Sequence, residues 1–139
     1  MGQSIRDVMT ASPHTVRPDA TLEDAAREMK SDDIGAVLVE DNGSVAGILT
    51  DRDIVVRAIA EGRDPSSTKV SEVATRDVKT LTPDSTVEDA IKICREQKVR
   101  RIPVVEGDRP AGIVSIGDLA VERDRKSALA DISAAPANN

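Results

Sequence analysis

Gly47-Ile48-Leu49-Thr50-Asp51-Arg52-Asp53 and Gly112-Ile113-Val114-Ser115-Ile116-Gly117-Asp118 are two versions of one motif, 65 residues apart. Each is a glycine-led apolar strand that runs into a hydroxyl residue. A carboxylate follows three places on, and then a helix-like apolar run. The same 65-residue shift aligns other blocks without a gap. Ile5-Arg6-Asp7-Val8-Met9-Thr10 meets Val70-Ser71-Glu72-Val73-Ala74-Thr75, and Thr15–Ala25 meets Thr80–Ala90 through the shared Pro-Asp-x-Thr-x-Glu-Asp-Ala pattern. Ala36-Val37-Leu38-Val39 meets Arg101-Ile102-Pro103-Val104. Four blocks in one frame identify an internal duplication.

Each copy begins with a short amphipathic turn, Ile5-Val8-Met9 or Val70-Val73-Ala74. A brief strand is predicted around His14–Arg17 and Val78–Leu81. A helix follows, opened by Thr21-Leu22-Glu23-Asp24 as a capping box, with Leu22, Ala25, Ala26 and Met29 at i, i+3, i+4 and i+7. Val87, Ala90, Ile91 and Cys94 repeat that stripe. Strands Ala36–Glu40 and Val45–Leu49 flank Asp41-Asn42-Gly43, which has hairpin turn chemistry; Ile102–Glu106 and Ala111–Val114 flank Gly107-Asp108. A second helix, led by Ile54, Val55, Ala58 and Ile59, ends at Gly62. The predicted fold is α/β: a duplicated β-α-β-β-α unit with pseudo-twofold symmetry and two small sheets packed together. Repeat 1 spans 4–62, a linker 63–68, repeat 2 69–124, and a C-terminal tail 125–139, with one further turn at 128–132 and a frayed end. A unit of about 60 residues buries too little surface to be stable alone, so the copies are expected to pack on each other.

Composition narrows the function. The 139 residues contain no Phe, Tyr or Trp, so no base can stack on an aromatic ring. The net charge is −6, and residues 1–65 carry all the excess acid, with 7 Lys/Arg against 13 Asp/Glu. Affinity for a polyanion comes mainly from Lys and Arg on phosphates, so nucleic-acid binding is disfavoured. A small anion needs only a local basic cluster. One cysteine permits no intramolecular disulfide, which suits a reducing compartment. No apolar run has the length of a signal peptide core or a membrane span, so a cytoplasmic protein is expected.

Thr50 with Asp53, and Ser115 with Asp118, carry two readings. A hydroxyl and an acid three residues on are a capping box and nothing more. The same geometry offers a phosphate the unpaired N–H groups of a helix start and gives a ribose a nearby carboxylate. Arg100 and Arg101 bear on that choice, because the first copy has Gly35 and Ala36 at these positions. Arginine forks match phosphate oxygens, and arginines in one copy can reach an anion held at the other copy's helix start. Enzyme chemistry is thin. His14 is the only histidine and reads as a surface residue at a strand end; no metal-ligand spacing stands out. Cys94 is in register with Met29 on the buried stripe and reads as core.

The duplicated pattern resembles the cystathionine-β-synthase (CBS) domain family, over about residues 4–123, as a stand-alone tandem pair, or Bateman module. Val8-Met9-Thr10, Thr21–Ala25, Gly47–Ile54, Val99–Val104 and Gly112–Leu119 carry the resemblance. It implies a disc-like module, often dimeric, with two clefts that take AMP, ADP, ATP or a related adenosyl compound. In one cleft it places Thr50 and Asp53, with the intervening Asp51 and Arg52, Arg100 and Arg101 from the opposite repeat, and Lys79. In the other it places Ser115 and Asp118, with His14, Gly35 and Ala36 where the first has its cations. It also implies regulation of an unknown partner protein rather than catalysis, with no required cofactor. The alternative is a ligand-free dimeric adaptor in which the motif residues only cap helices.

Overall fold

The protein, as a computed structural model, is described over residues 3–120. The expected tail at 125–139 lies outside them. The elements are α1 (Ile5–Val8), β1 (Thr10–Ala11), β2 (Thr15–Val16), α2 (Leu22–Asp32), β3 (Ala36–Asp41), β4 (Ser44–Thr50), α3 (Asp51–Asp53), β5 (Thr75–Arg76), α4 (Val87–Gln97), β6 (Arg101–Glu106) and β7 (Arg109–Ser115). A π-helical stretch, Ile54–Ile59, continues α3, and a 3₁₀ turn, Val70–Glu72, precedes β5. A helix begins again at Ile116. Two sheets result, ordered β2-β3-β4-β5 and β1-β7-β6.

The helix stripes form as the spacing predicts. Leu22, Ala25 and Met29 are buried on α2, and Val87, Ala90 and Cys94 on α4. Both helices start in a capping box, Thr21 with Asp24 and Thr86 with Asp89, and both end in a left-handed residue, Asp33 and Lys98. Asn42 and Gly43, both at positive φ, turn the first hairpin as a type I′ loop requires. The second hairpin turns at Gly107 with φ 69°. Strand alternation then buries both faces of β3. Val37 and Val39 face the α2 core, while Ala36 and Leu38, with Ile48 of β4, join Val78 and Ile113 between the sheets.

One feature departs from the sequential picture. The opening turn of each copy packs into the other copy. Ile5 lies in the core with Leu81, Val87 and Ile102, and Val70, Val73 and Ala74 lie with Leu22 and Leu49. The backbone follows the same exchange: Ile5 N–H donates to Ser85 O and Val70 N–H to Ala20 O, both at 2.8 Å. β1 pairs with β7, and β5 with β4. This explains the glycine that leads each motif. A Cβ at Gly47 would stand 2.4 Å from the carbonyl oxygen of Thr75, and one at Gly112 2.7 Å from that of Thr10. Any side chain there would push the exchanged strand away.

The copies also differ. The predicted strand at His14–Arg17 is present as β2, paired parallel to β3 with Leu38 N–H donating to His14 O at 2.9 Å. Its predicted counterpart at Val78–Leu81 shrinks to a single bridge, Leu81 to Val104. Pro103 stands where the first copy has Leu38, and a proline has no N–H to give to the carbonyl of Lys79. The linker is ordered by the helix start it covers. Leu22 and Glu23 donate their orphan N–H groups to Thr68 O and Pro65 O, and Thr68 is buried.

Candidate functional site

β3 and β6 start, and β4 and β7 end, at the seam between the repeats, which leaves a cleft on either side. The first has a volume of about 490 Å³ and is lined by Thr50, Asp53 and Arg52 of repeat 1 and by Thr75–Lys79 and Gln97–Arg101 of repeat 2. Among the described residues its lining includes Arg52, Arg76, Lys79, Lys98, Arg100 and Arg101 against only Asp53 and Asp77. In a chain of net charge −6, so one-sided a concavity raises the local concentration of small anions. The second cleft, about 240 Å³, is lined by Ser115 and Asp118 with His14, Gly35, Ala36 and, again, Arg101. Among the described residues its only arginine is one that the sequence reading gave to the first cleft alone.

Both hydroxyl–acid pairs make the capping boxes their spacing predicts. Asp53 N–H donates to Thr50 Oγ1 at 3.1 Å, and Thr50 N–H to Asp53 Oδ2 at 2.9 Å. Asp118 N–H donates to Ser115 Oγ and Ser115 N–H to Asp118 Oδ2, each at 3.1 Å. The same device opens α2 and α4, yet Thr21, Asp24, Thr86 and Asp89 line neither cleft. What sets Thr50–Asp53 and Ser115–Asp118 apart is therefore their place, not their bonds. Asp53 uses Oδ2 in the cap, which leaves Oδ1 for a hydroxyl donor in the cleft.

Most of the expected residues converge; one does not. Asp51 lines neither cleft; its Oδ1 accepts from the Arg52 N–H at 2.8 Å, and its Oδ2 turns toward Gly35. The helix twist that points Asp53 into the cleft carries its neighbour away from it. His14 does not stand alone either. Its Nδ1 lies 3.1 Å from Glu28 Oε1 and its Nε2 3.4 Å from Asp32 Oδ2, on one face of α2. The three present ligand-type atoms within 4.8 Å of one another. Each ring nitrogen faces a different carboxylate, and the Nδ1 contact with Glu28 has hydrogen-bond geometry. Cys94 is buried, and burial pushes its thiol up, away from the thiolate that a nucleophile needs.

Sequence reasoning missed Arg76 and Lys98. The 65-residue shift pairs them with Ala11 and Asp33, so a search for positions where a cation replaces a neutral or acidic residue would have found both.

The CBS domain family model matches residues 5–59 and 70–124, one match per repeat. The chain belongs to the CBS domain family. The CBS domain-containing protein YhcV of Bacillus subtilis is 40% identical over 134 residues, covering 94% of this chain and 95% of YhcV. A crystal structure of Hypoxic Response Protein I, with two coordinated zinc ions, superposes with a TM-score of 0.76 at 34% identity, over 86% of this chain and 98% of that one. A hexameric CBS-CP12 protein from bloom-forming cyanobacteria superposes with a TM-score of 0.83 at 29% identity, over 91% and 75%. The family match falls on both copies of the duplication, so this is a CBS pair with two clefts of unequal charge. Among the described residues no helix is long and apolar enough to cross a membrane.

Proposed function

We propose that this CBS pair is a non-enzymatic regulatory module that binds an adenine nucleotide in the Thr50/Asp53 cleft and passes its occupancy to a partner protein. The observation that carries the reading is the lining of that cleft. Five basic side chains from repeat 2 (Arg76, Lys79, Lys98, Arg100 and Arg101) face a helix start and a carboxylate from repeat 1. A phosphate is recognised by the arginines and a ribose by Asp53, while the N–H groups of Asp51, Arg52 and Asp53, which the sequence offered to a phosphate, are already bonded to Gly35 O, Asp51 Oδ1 and Thr50 Oγ1. The ligand thereby bridges the repeats. It shifts the module between arrangements to the extent that it binds one better than the other.

The module is proposed to act as a homodimer. Val55, Val56 and Ile59 follow the first motif and stand 58%, 43% and 50% exposed, and Ile116 in the second motif stands 49% exposed. These four exposed apolar side chains, at and after the two motifs, are the surface proposed to be covered by the same residues of a second copy.

The test is a calorimetric panel of AMP, ADP, ATP, NAD and S-adenosylmethionine against the full chain. At least one is expected to bind. Binding by none of them at millimolar concentration would return the motifs to helix caps and the protein to a ligand-free adaptor. With no Trp or Tyr in the chain, a nucleotide retained through purification is also visible directly in the ultraviolet spectrum.

A further inference from the structure

Arg101 lines both clefts. It opens β6 at the seam between the repeats, in register with Ala36 of the first copy. Its guanidinium lies over the bare backbone of Gly35: Nη2 stands 2.7 Å and Cζ 3.5 Å from where a Cβ at Gly35 would be. Asp51 Oδ2 stands 3.1 Å from that same point, so a carboxylate favours the guanidinium on this side without pairing with it. Gly35 leaves the space that Arg101 occupies. The first copy's small neutral residue is thus part of how the second copy's arginine reaches both clefts.

The first cleft holds Arg100, Lys79 and other cations besides Arg101, whereas among the described residues Arg101 is the only arginine or lysine lining the second. A guanidinium that closes bidentately on an anion in one cleft leaves fewer donors and less charge for an anion in the other. We propose that Arg101 is a shared cation through which the clefts compete: an anionic ligand that draws Arg101 into the first cleft takes it from the second and weakens binding there. The inference rests on the reading of the clefts as sites for phosphorylated ligands and adds how one regulates the other. By linkage the effect is reciprocal, so a ligand in the second cleft weakens the first by the same factor.

The experiment is calorimetry with ATP on the wild-type chain and on Asp53→Ala, Arg101→Ala and the double variant, with Asp118→Ala identifying the heat from the second cleft. The coupling factor is the affinity of the second cleft with the first disabled, divided by its affinity with the first filled. With Arg101 present this factor is expected to be about tenfold, within the range usual for coupled sites, and without Arg101 to fall to about twofold or less. Gly35→Ala puts a methyl group where the guanidinium rests. It should push the arginine toward the first cleft, tightening that site about two- to fivefold and weakening the second. An equal coupling factor with and without Arg101 overturns the proposal, as does a second cleft that binds nothing in Asp53→Ala. If ATP binds nowhere, the nucleotide reading falls by itself, and the same variants are titrated with inorganic pyrophosphate, read from the amide signals of Gly35 and Lys79. Loss of Arg101-dependent competition for pyrophosphate, or no binding of it, then overturns the coupling as well.

Discussion

The two clefts share a backbone and differ in what faces the cavity. Thr50–Asp53 and Ser115–Asp118 close the same pair of hydrogen bonds. Asp51 N–H donates to Gly35 O at 2.9 Å, and its counterpart Ile116 N–H to Arg100 O at 2.7 Å. The motif glycines leave room for the exchanged strands in both halves. Against that constancy, Ala11, Asp33, Gly35 and Ala36 correspond to Arg76, Lys98, Arg100 and Arg101. Around the motifs themselves, the groups that hold the backbone are the same in both copies because each is tied to a partner. Groups around the cavity answer only to what enters it, and there the copies diverge into a basic cleft and a nearly neutral one.

The comparison breaks most readily at the carboxylates. Asp53→Ala is expected to remove nucleotide binding from the basic cleft by one to two orders of magnitude, for a lost charge-assisted hydrogen bond of about 1.5–3 kcal/mol. Asp118→Ala should leave that cleft's affinity within about a factor of three. Calorimetry on both decides the point, and equal losses would mean that the clefts are equivalent in spite of their charge. Asp53 also caps a helix, so Asp24→Ala is the control: it opens the capping box of α2, away from either cleft. It should cost about 1 kcal/mol in urea unfolding and leave nucleotide affinity unchanged.

The arginines sharpen it further. Arg100→Ala should weaken ATP in the basic cleft about tenfold while adenosine loses little, because a guanidinium recognises phosphate rather than base. Similar losses for both would remove Arg100 from the phosphate site. On the dimer face, Ile59→Asp buries a charge in the proposed contact, and sedimentation should show monomer where the wild type is a dimer. A wild-type monomer at the same concentration would sink that face.

The smallest effect is in the pH dependence, and it lies outside both clefts. The Ser66 N–H holds Asp64 below the usual carboxylate range, and the Lys69 N–H does the same for Glu72, which also meets Arg63. A depressed folded-state value means that these groups stabilise the fold at neutral pH and stop doing so as pH falls through the acid range. Asp64→Asn should flatten that slope in thermal melts slightly, as both groups are exposed.

What was legible followed from local rules. Helix stripes, capping boxes and hairpin turns each depend on a few neighbouring residues, and Leu22, Thr50 and Asn42 announce them. The exchange of Ile5 and Val70 between cores was not legible. The two copies offer equivalent apolar pockets, and no spacing says whether Ile5 fills its own or the other. In the clefts, the 65-residue register was enough to bring Thr50, Asp53, Arg100 and Lys79 to the lining of one cavity. Arg101 was assigned to one cleft because register fixes where a strand residue starts, not how far a long side chain reaches. The π-helical turn at Ile54–Ile59 has no signal in the sequence that we can name.

Pro103 has a consequence for motion. His14 and Lys79 occupy equivalent positions on either side of the pseudo-twofold axis, but only the segment carrying His14 is stitched to its sheet along its length. The segment carrying Lys79 is fastened at Leu81 and free of the sheet before it. The basic cleft therefore has one rigid wall, built from the helix start at Thr50, and one wall with slack. In amide exchange, Leu38 should be protected to near the global limit and Val78 and Lys79 should exchange quickly. Slowing of those two amides as nucleotide is added would record the wall closing over its ligand.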